Sequence, residues 1–261
     1  MADCPGGDWE YTVMSSKFAI QDALYAEPYH HYVSIDPPAL HRSLPWGLSY
    51  WGYTSRVLEL ADEYLPRRVA EIGCGDGKIV CEVARRHPTA VCDGYDLSSR
   101  AIAFAQAYGA GSATFHAEDF AAASEPYDLL LCIETLEHIP DDVIPGFIAT
   151  LHSKVSAQGR LIVSVPSDVR PVARKHYRHY NLAMLEQQTR GLFDIDLVEY
   201  IHDPAPFGYR VIETALVNRL FVLNQPRLRR TLFGMYKRRY RRATAKTGEH
   251  LVAVLRPQSR A

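Results

Sequence analysis

The chain has 261 residues, with 29 Lys and Arg against 30 Asp and Glu, and a net charge of −1 with histidine neutral. That length admits one large domain, or one domain with an elaboration, because single cores rarely grow past about 250–300 residues. At 47% hydrophobic and 23% charged residues, the composition excludes disorder, a collagen-like repeat and a coiled coil, and the apolar runs are too short to span a bilayer. The near-neutral balance argues against a generic nucleic-acid coat. The opening MADCPGGDWEYTV has neither the basic start nor the apolar stretch of a secretory signal. The five cysteines, Cys4, Cys74, Cys81, Cys92 and Cys132, show no CxxC spacing. Together these features predict reduced thiols and a cytoplasmic protein.

Residues 1 to about 24 read as a tail or an opening helix. Tyr25 to Tyr53 holds five Tyr, three His and two Trp, punctuated by Pro28, Pro37, Pro38 and Pro45. Those prolines break regular structure and predict a loop-and-helix cap. From Arg68 the pattern changes to short apolar runs: Val69–Cys74, Ala90–Asp96, Ala113–Ala117, Tyr127–Glu134 and Gly159–Pro166. Amphipathic segments alternate with them, at Lys78–His87, Ser98–Tyr108 and Asp141–Val155. Ser98 is placed as an N-cap and Gly109 as a stop. Two more strands are predicted at Ile195–Ile201 and His250–Leu255, paired antiparallel. Such alternation predicts a parallel sheet with helices on both faces. The expected organisation is an N-terminal tail and aromatic cap (1–66), an α/β core (67–203), a basic helical insertion (204–248) and a last core strand with its tail (249–261).

The phrase VAEIGCGDG, Val69 to Gly77, ends a strand and opens a helix, where glycines let backbone N–H groups approach a ligand. The spacing of Gly73, Gly75 and Gly77 is GxGxG, not the GxGxxG of nucleotide-redox folds. Glu71 stands two residues before the first glycine. That carboxylate is unsuited to a pyrophosphate and suited to a cationic amino-acid ligand. In order, this pattern resembles the S-adenosylmethionine-dependent methyltransferases of the Rossmann-like class, over Arg68 to Pro166. The resemblance implies a Rossmann-like, mainly parallel seven-stranded sheet whose last strand is antiparallel. It further implies that Asp96 binds the ribose hydroxyls of S-adenosyl-L-methionine, with Leu97 beside it. Asp119 would meet the adenine amino group, Phe120 would lie beside the ring, and Glu134 would face the cofactor.

Methyl transfer from a sulfonium is an in-line displacement, so the protein must align the acceptor and help remove a hydroxyl proton. Glu134, Glu137 and His138 fall at i, i+3 and i+4, on one face of a helical turn. After the fifth strand, RKHYRHYN places His176 and His179 three apart. Two carboxylates with one or two imidazoles suit a divalent ion such as Mg, Mn or Co. This ExxEH-then-HxxH text resembles the metal site of the enzymes that 2′-O-methylate the 3′ ends of small RNAs, and an ExxEH turn occurs in ubiquinone-pathway O-methyltransferases. On that resemblance Glu134, Glu137, His138 and His179 would be ligands. The RNA enzymes follow their histidines with Phe-Glu-Trp, whereas here Tyr180-Asn181-Leu182-Ala183 stands. The metal-free alternative makes His138, His176 or His179 a general base. Tyr29, His30, His31, Trp46, Trp51 and Tyr180 are candidates to line the acceptor pocket.

Residues 227–246 contain nine Lys and Arg and no acid, which leaves the rest of the chain strongly acidic. On a helical wheel Leu228, Leu232, Met235, Tyr236 and Tyr240 form one stripe, with Arg230, Lys237, Arg238, Arg241 and Arg242 opposite. This segment is either a docked helix with a solvated basic face, or a surface for an anionic acceptor, RNA or an acidic membrane. The functional expectation is an O-methyltransferase acting on a small hydroxylated acceptor, a sugar or natural product. The alternatives are 2′-O-methylation of an RNA end and a non-catalytic scaffold. Intact Glu71, Gly73, Gly75, Asp96 and Asp119 argue against the last.

Overall fold

A computed structural model of the chain describes residues 16–35, 38–40, 44–203 and 226–259. Helix α1 (Ser16–Leu24) leads through a 3-10 turn (Tyr29–Tyr32) to a small hairpin, β1 (Val33–Ser34) and β2 (Ala39–Leu40). Helix α2 (Leu44–Tyr64) follows. The aromatic stretch, expected to be broken by its prolines, therefore supplies half of a 21-residue helix. Pro45 is the second residue of α2, where a missing N–H costs no intrahelical bond.

The core alternates β3 (Arg68–Ile72), α3 (Lys78–Arg86), β4 (Val91–Tyr95), α4 (Ser99–Tyr108), β5 (Thr114–His116) and β6 (Tyr127–Ile133). It continues with α5 (Ile144–Lys154), β7 (Val155–Pro166), α6 (Leu182–Thr189) and β8 (Phe193–Ile201), and ends with α7 (Pro226–Arg239), β9 (Arg242–Ala243) and β10 (His250–Pro257). The main sheet runs β5-β4-β3-β6-β7-β10-β8-β9. Strands β5, β4, β3, β6 and β7 are parallel, and β10 is antiparallel to both β7 and β8. Eight strands stand where seven were expected. The extra one is β9, which pairs Tyr200 with Ala243 and Ile201 with Arg242 at the sheet edge and comes from the basic segment.

The chain leaves β3 to build β4 and β5 on one side, then returns to place β6 on the other. Such a switch point opens a crevice at the carboxyl ends of the strands. Period-two alternation sorts the buried residues of β6. Leu129 and Leu131 pack with α2, α3 and α7, through Val57, Leu58, Val80 and Phe233. Leu130 and Cys132 pack with α5 and α6, through Ile148, Leu151 and Leu185. Covered on both faces, β6 reads as an unbroken apolar run.

Ser98 caps α4 as expected, accepting a bond from the Ala101 amide at 3.1 Å. The apolar stripe of the basic segment docks as a helix, with Tyr236 fully buried and Leu232, Met235 and Tyr240 packed against the core. Phe233 joins that stripe. Arg241, expected on the solvated side, is buried instead, because its guanidinium reaches Glu59 at 2.7 Å. The side chain of Leu228 and all of residues 204–225 lie outside the described residues. Among the described residues no helix is long and apolar enough to cross a membrane.

Candidate active site

The glycine loop sits at the carboxyl end of β3. The amides of Gly73 and Cys74 both donate to the Tyr95 carbonyl, at 2.8 and 3.0 Å, which clamps the loop to the end of β4. Gly73 and Gly75 have φ of +73° and +56°, a region costly for any residue with a Cβ. Space forbids one as well: a Cβ on Gly73 would enter the Thr135 side chain, and one on Gly75 would enter the Tyr25 hydroxyl. Glu71 lies in β3, just before the loop. It is 2% exposed, and its Oε2 accepts the Val80 amide at 2.8 Å, so it braces the first turn of α3.

Asp96 follows β4 with one oxygen on each side of the loop. Oδ2 accepts the Gly75 amide and Oδ1 the Ser98 amide, both at 2.8 Å. Burial pushes its carboxyl up, and those two amides work against the shift. Leu97, beside it, is 61% exposed and offers an apolar surface. Asp119 caps a 3-10 turn through the Ala121 amide at 2.8 Å. Phe120 is buried in the core, edge-on to Tyr95 with ring centroids 5.1 Å apart.

The N-terminal segment covers this edge. Asp76, the acid inside the glycine loop, is buried and held by three contacts from the cap. His30 gives it an amide bond at 3.1 Å and an Nδ1 contact at 2.9 Å, and His31 Nε2 meets its carbonyl at 3.0 Å. Burial would raise the Asp76 carboxyl, but the two histidines outweigh it and hold the group below its usual range. Helix α1 bridges the crevice. Ser98 Oγ donates to Asp22 at 2.5 Å, Lys175 Nζ to Gln21 at 2.8 Å, and Lys17 Nζ to the His176 carbonyl. Tyr29, His30, Trp46 and Tyr50 form a ring cluster, with Trp46 and Tyr50 stacked at 5.0 Å.

Trp51 and Tyr180 do not join that cap. Trp51 lies on another side of α2, where its indole donates to the Ile35 carbonyl at 3.1 Å. Tyr180 is fully buried beside Arg178 and the Leu136 carbonyl.

Beyond β6 the chain turns sharply at Glu134, which has φ +52°. The structure divides the four residues expected to share a metal. Glu137, His138 and His176 bring one ligand atom each within 4.8 Å of one another. Glu134 does not join them. Its Oε1 accepts from Ser164 at 2.7 Å and contacts His250 Nδ1 at 3.1 Å. Burial favours the neutral form of Glu134, yet His250 and Ser164 hold its carboxyl below the usual range. His179 stands behind His176, not within the group. Its Nδ1 bonds the Arg170 carbonyl at 3.0 Å, and its Nε2 lies 2.9 Å from His176 Nδ1.

These contacts fix the tautomers. A carbonyl can only accept, so His179 carries its proton on Nδ1 and its Nε2 receives the His176 Nδ1–H. His176 Nε2 is then a free lone pair. His138 likewise donates Nδ1–H to the Lys175 carbonyl at 3.2 Å, which leaves its Nε2 as an acceptor. Burial drives His138 down to about 4 and His176 down to about 3. Glu137 is 1% exposed, and neither carboxyl oxygen has a hydrogen-bond partner among the described residues. Burial, reinforced by the Glu134 charge, pushes its carboxyl well up.

Sequence reasoning missed His250, Ser49 and Asp76. Ser49 Oγ lies 2.8 Å from His250 Nε2, completing a Ser49–His250–Glu134 chain. His250 lies 116 positions from Glu134, so no local spacing announces the pair.

A β3–glycine loop–α3 unit, an acid after β4 and an antiparallel last strand define a class I S-adenosylmethionine-dependent methyltransferase. The chain belongs to the methyltransferase domain family, whose pattern matches residues 51–207. It is 35% identical over 137 residues to a trans-aconitate 2-methyltransferase of Streptomyces coelicolor, covering 49% of this chain and 42% of that one. The chain thus spans under half the length of that relative. It is 32% identical over 180 residues to a ubiquinone biosynthesis O-methyltransferase of Vibrio campbellii, covering 61% of this chain and 73% of the other. The fold is shared with magnesium protoporphyrin IX methyltransferase of Synechocystis with bound S-adenosylmethionine, at TM-score 0.57 and 17% identity over 94% of this chain and 99% of that one. It is also shared with the N-methyltransferase NodS of Bradyrhizobium japonicum, at TM-score 0.54 and 15% identity over 79% and 95%.

Proposed function

We propose that the enzyme methylates a hydroxyl of a small molecule, a sugar or a natural product. One observation carries this reading. Beside the glycine loop, two neutral imidazoles with free Nε2 lone pairs stand at the carboxyl edge of β6, and an ionised Glu134, held by Ser164 and His250, precedes His138 on the same turn. Gly73, Gly75, Gly77 and Asp96 would hold S-adenosylmethionine, with Leu97 as an apolar flank. The paired oxygens of Asp96 beside the glycine loop fit a ligand carrying vicinal hydroxyls. When bound, that cofactor supplies an electrophilic methyl group. The chain's own residues then have two tasks, to align the acceptor and to take its proton.

Turning an alcohol into a methyl ether releases one proton. His138 Nε2 is positioned to accept a hydrogen bond from the hydroxyl, and the Glu134 carboxylate stabilises the imidazolium that forms. His179 acts through His176, whose ring it orients. The named ubiquinone-pathway relative supports oxygen as the acceptor atom. A second reading rests on Glu137. Its two unpartnered oxygens, with the two Nε2 lone pairs, make a donor set for a divalent cation that would lower the pKa of a bound hydroxyl.

The test is incubation of purified protein with methyl-labelled donor and cell extract separated into small-molecule, glycan and RNA pools. Label should enter the small-molecule pool as an alkali-stable ether. An alkali-labile ester, or label confined to RNA, overturns the proposal.

A further inference from the structure

We propose that the half of the carboxyl edge built by β7, β10, β8 and β9 docks on an anionic membrane surface. Those four strands are neighbours in the sheet, and their register brings their ends level. Pro166, the last residue of β7, faces His250, His250 faces Ile201, and Ile201 faces Arg242. Contacts join the pieces across the top. Arg170, in the loop after β7, reaches Glu249 at 3.3 Å, and Glu249 lies 3.9 Å from His202. The His202 amide in turn donates to the Arg241 carbonyl at 2.8 Å. The last turn of α7 arrives at the same place, since the helix ends at Arg239 and β9 begins at Arg242.

Arg174, Arg238, Arg239, Arg242 and Lys246 are exposed on this half of the edge, and none forms an ion pair among the described residues. Of the acids beside them, Glu249 is matched by Arg170, which leaves Asp168 and Asp203 against those five cations. The surplus is positive. Charge alone would suit any polyanion, and a second feature selects lipid. Val169 and Val172 are 40% and 54% exposed in the loop after β7, where Pro171 and Ala173 are exposed as well. Apolar side chains set among cations match the boundary between anionic headgroups and acyl chains, whereas a nucleic-acid backbone rewards the cations only.

Base recognition has little to work with on this face. Residues 226–248 contain no Asn, Gln or His, and Phe233 and Tyr236 are buried. The apolar side of α7 packs on the core, so the attachment is superficial and reversible: the cations attract and the two valines dip into the interface. His176 lies in the same loop as Val172, so a docked surface stands beside the Glu137–His138–His176 group.

The experiment sediments the full chain with vesicles of phosphatidylcholine alone and with vesicles in which roughly one lipid in three is phosphatidylglycerol. The chain should pellet with the anionic vesicles at low salt, and be released by high salt. Arg238→Glu combined with Arg242→Glu should weaken that partitioning by about tenfold or more. Val169→Ser combined with Val172→Ser should weaken it by a smaller factor while leaving retention on polyuridine RNA unchanged, which separates lipid from a bare polyanion. All four positions are exposed, so melting temperature and S-adenosylhomocysteine affinity should stay as in the wild type. Equal sedimentation with neutral and anionic vesicles, no sedimentation with either, or anionic binding untouched by the charge reversals overturns the proposal. Serine variants that bind anionic vesicles like the wild type, together with displacement from vesicles by polyuridine, assign the face to nucleic acid and overturn it too. None of these outcomes bears on hydroxyl methylation.

Discussion

His250 Nδ1 lies 3.1 Å from Glu134 Oε1, joining the first residue of the last strand to the turn that ends β6. Tyr53 packs tilted against the imidazole, at 4.6 Å between ring centroids. Two consequences follow for His250→Ala. The lost hydrogen bond to a charged group should cost about 1.5–3 kcal/mol. The Glu134 carboxyl, no longer held down, should titrate at higher pH. Thermal melts should show the loss of stability, and the acidic limb of the pH–rate profile should move to higher pH. If His250→Ala changes stability but leaves that limb in place, Glu134 takes no part in proton handling.

Much of the fold was legible because its signals are local. The runs at Val69, Ala90 and Tyr127 are parallel strands buried on both faces, and Ser98 and the glycine loop are punctuation that sequence carries directly. What failed has a common cause. The prolines of the aromatic stretch predict a loop-and-helix cap, yet Pro45 stands at the start of a long helix, where a proline breaks nothing. Glu71 carries a bond that spacing does not announce, its carboxylate accepting the Val80 amide nine residues on. ExxEH spacing placed Glu134 with Glu137 as though the turn were helical. The backbone turns left-handed at Glu134 and only Leu136–His138 form a 3-10 turn, so Glu134 is held by Ser164 and His250 while Glu137 stands with His138 and His176. His250 was invisible because its partners, Ser49 and Glu134, belong to distant elements.

Asp96→Ala should weaken S-adenosylhomocysteine by about 1.5–3 kcal/mol, read by calorimetry, since a charged acceptor is lost. The same carboxylate also tethers the Gly75 and Ser98 amides. Asp96→Asn, which keeps one acceptor oxygen, should therefore retain more thermal stability than the alanine variant while still losing affinity. Gly75→Val should be more damaging than either, because its φ of +56° and the Tyr25 hydroxyl leave no room for a branched side chain. Wild-type affinity in Asp96→Ala would remove the cofactor assignment.

The cap should loosen when Asp76 is changed. Asp76→Asn keeps the shape but removes the charge that His30 and His31 hold. Hydrogen exchange at Tyr25 to Ile35 should quicken in the variant, while the amides of β6 and β10, in the sheet interior, stay protected. Equal protection of the cap in both proteins would show that aromatic packing alone holds it down.

Stability should fall on mild acidification. Burial places His138 at about 4, and His176 and His202 at about 3, all below the 6.5 of an unfolded histidine. Between about pH 6.5 and 4 the unfolded chain binds protons that the native state refuses, so stability is present above that window and lost on descending through it. Glu137 acts in the other direction, because its raised carboxyl contributes below about 4.5 and loses that contribution as pH rises. Urea midpoints measured from pH 7.5 to 4.5 should decline, and His202→Gln should flatten part of the slope. A midpoint constant across the window contradicts the buried neutral histidines.

The divalent-cation reading makes the last prediction. An empty site leaves Glu137 with two unsatisfied oxygens, and burial then favours its protonated form. A cation reverses that preference, since it needs the carboxylate ionised and both imidazoles neutral, which His138 and His176 already are at physiological pH. Metal binding should thus release a proton from Glu137, measurable as buffer-dependent heat in calorimetry with Mn²⁺ or Co²⁺. Glu137→Gln should abolish both the heat and the binding. His179→Ala should weaken binding by roughly 10–100-fold, since it removes only the partner that orients His176. Glu134→Gln should leave metal affinity nearly intact, because Glu134 is held by Ser164 and His250 outside the group. If elemental analysis finds no metal and chelation leaves turnover unchanged, the cluster works with its histidines alone. His138→Ala, which removes the free Nε2, should then lose most of the rate without altering cofactor affinity.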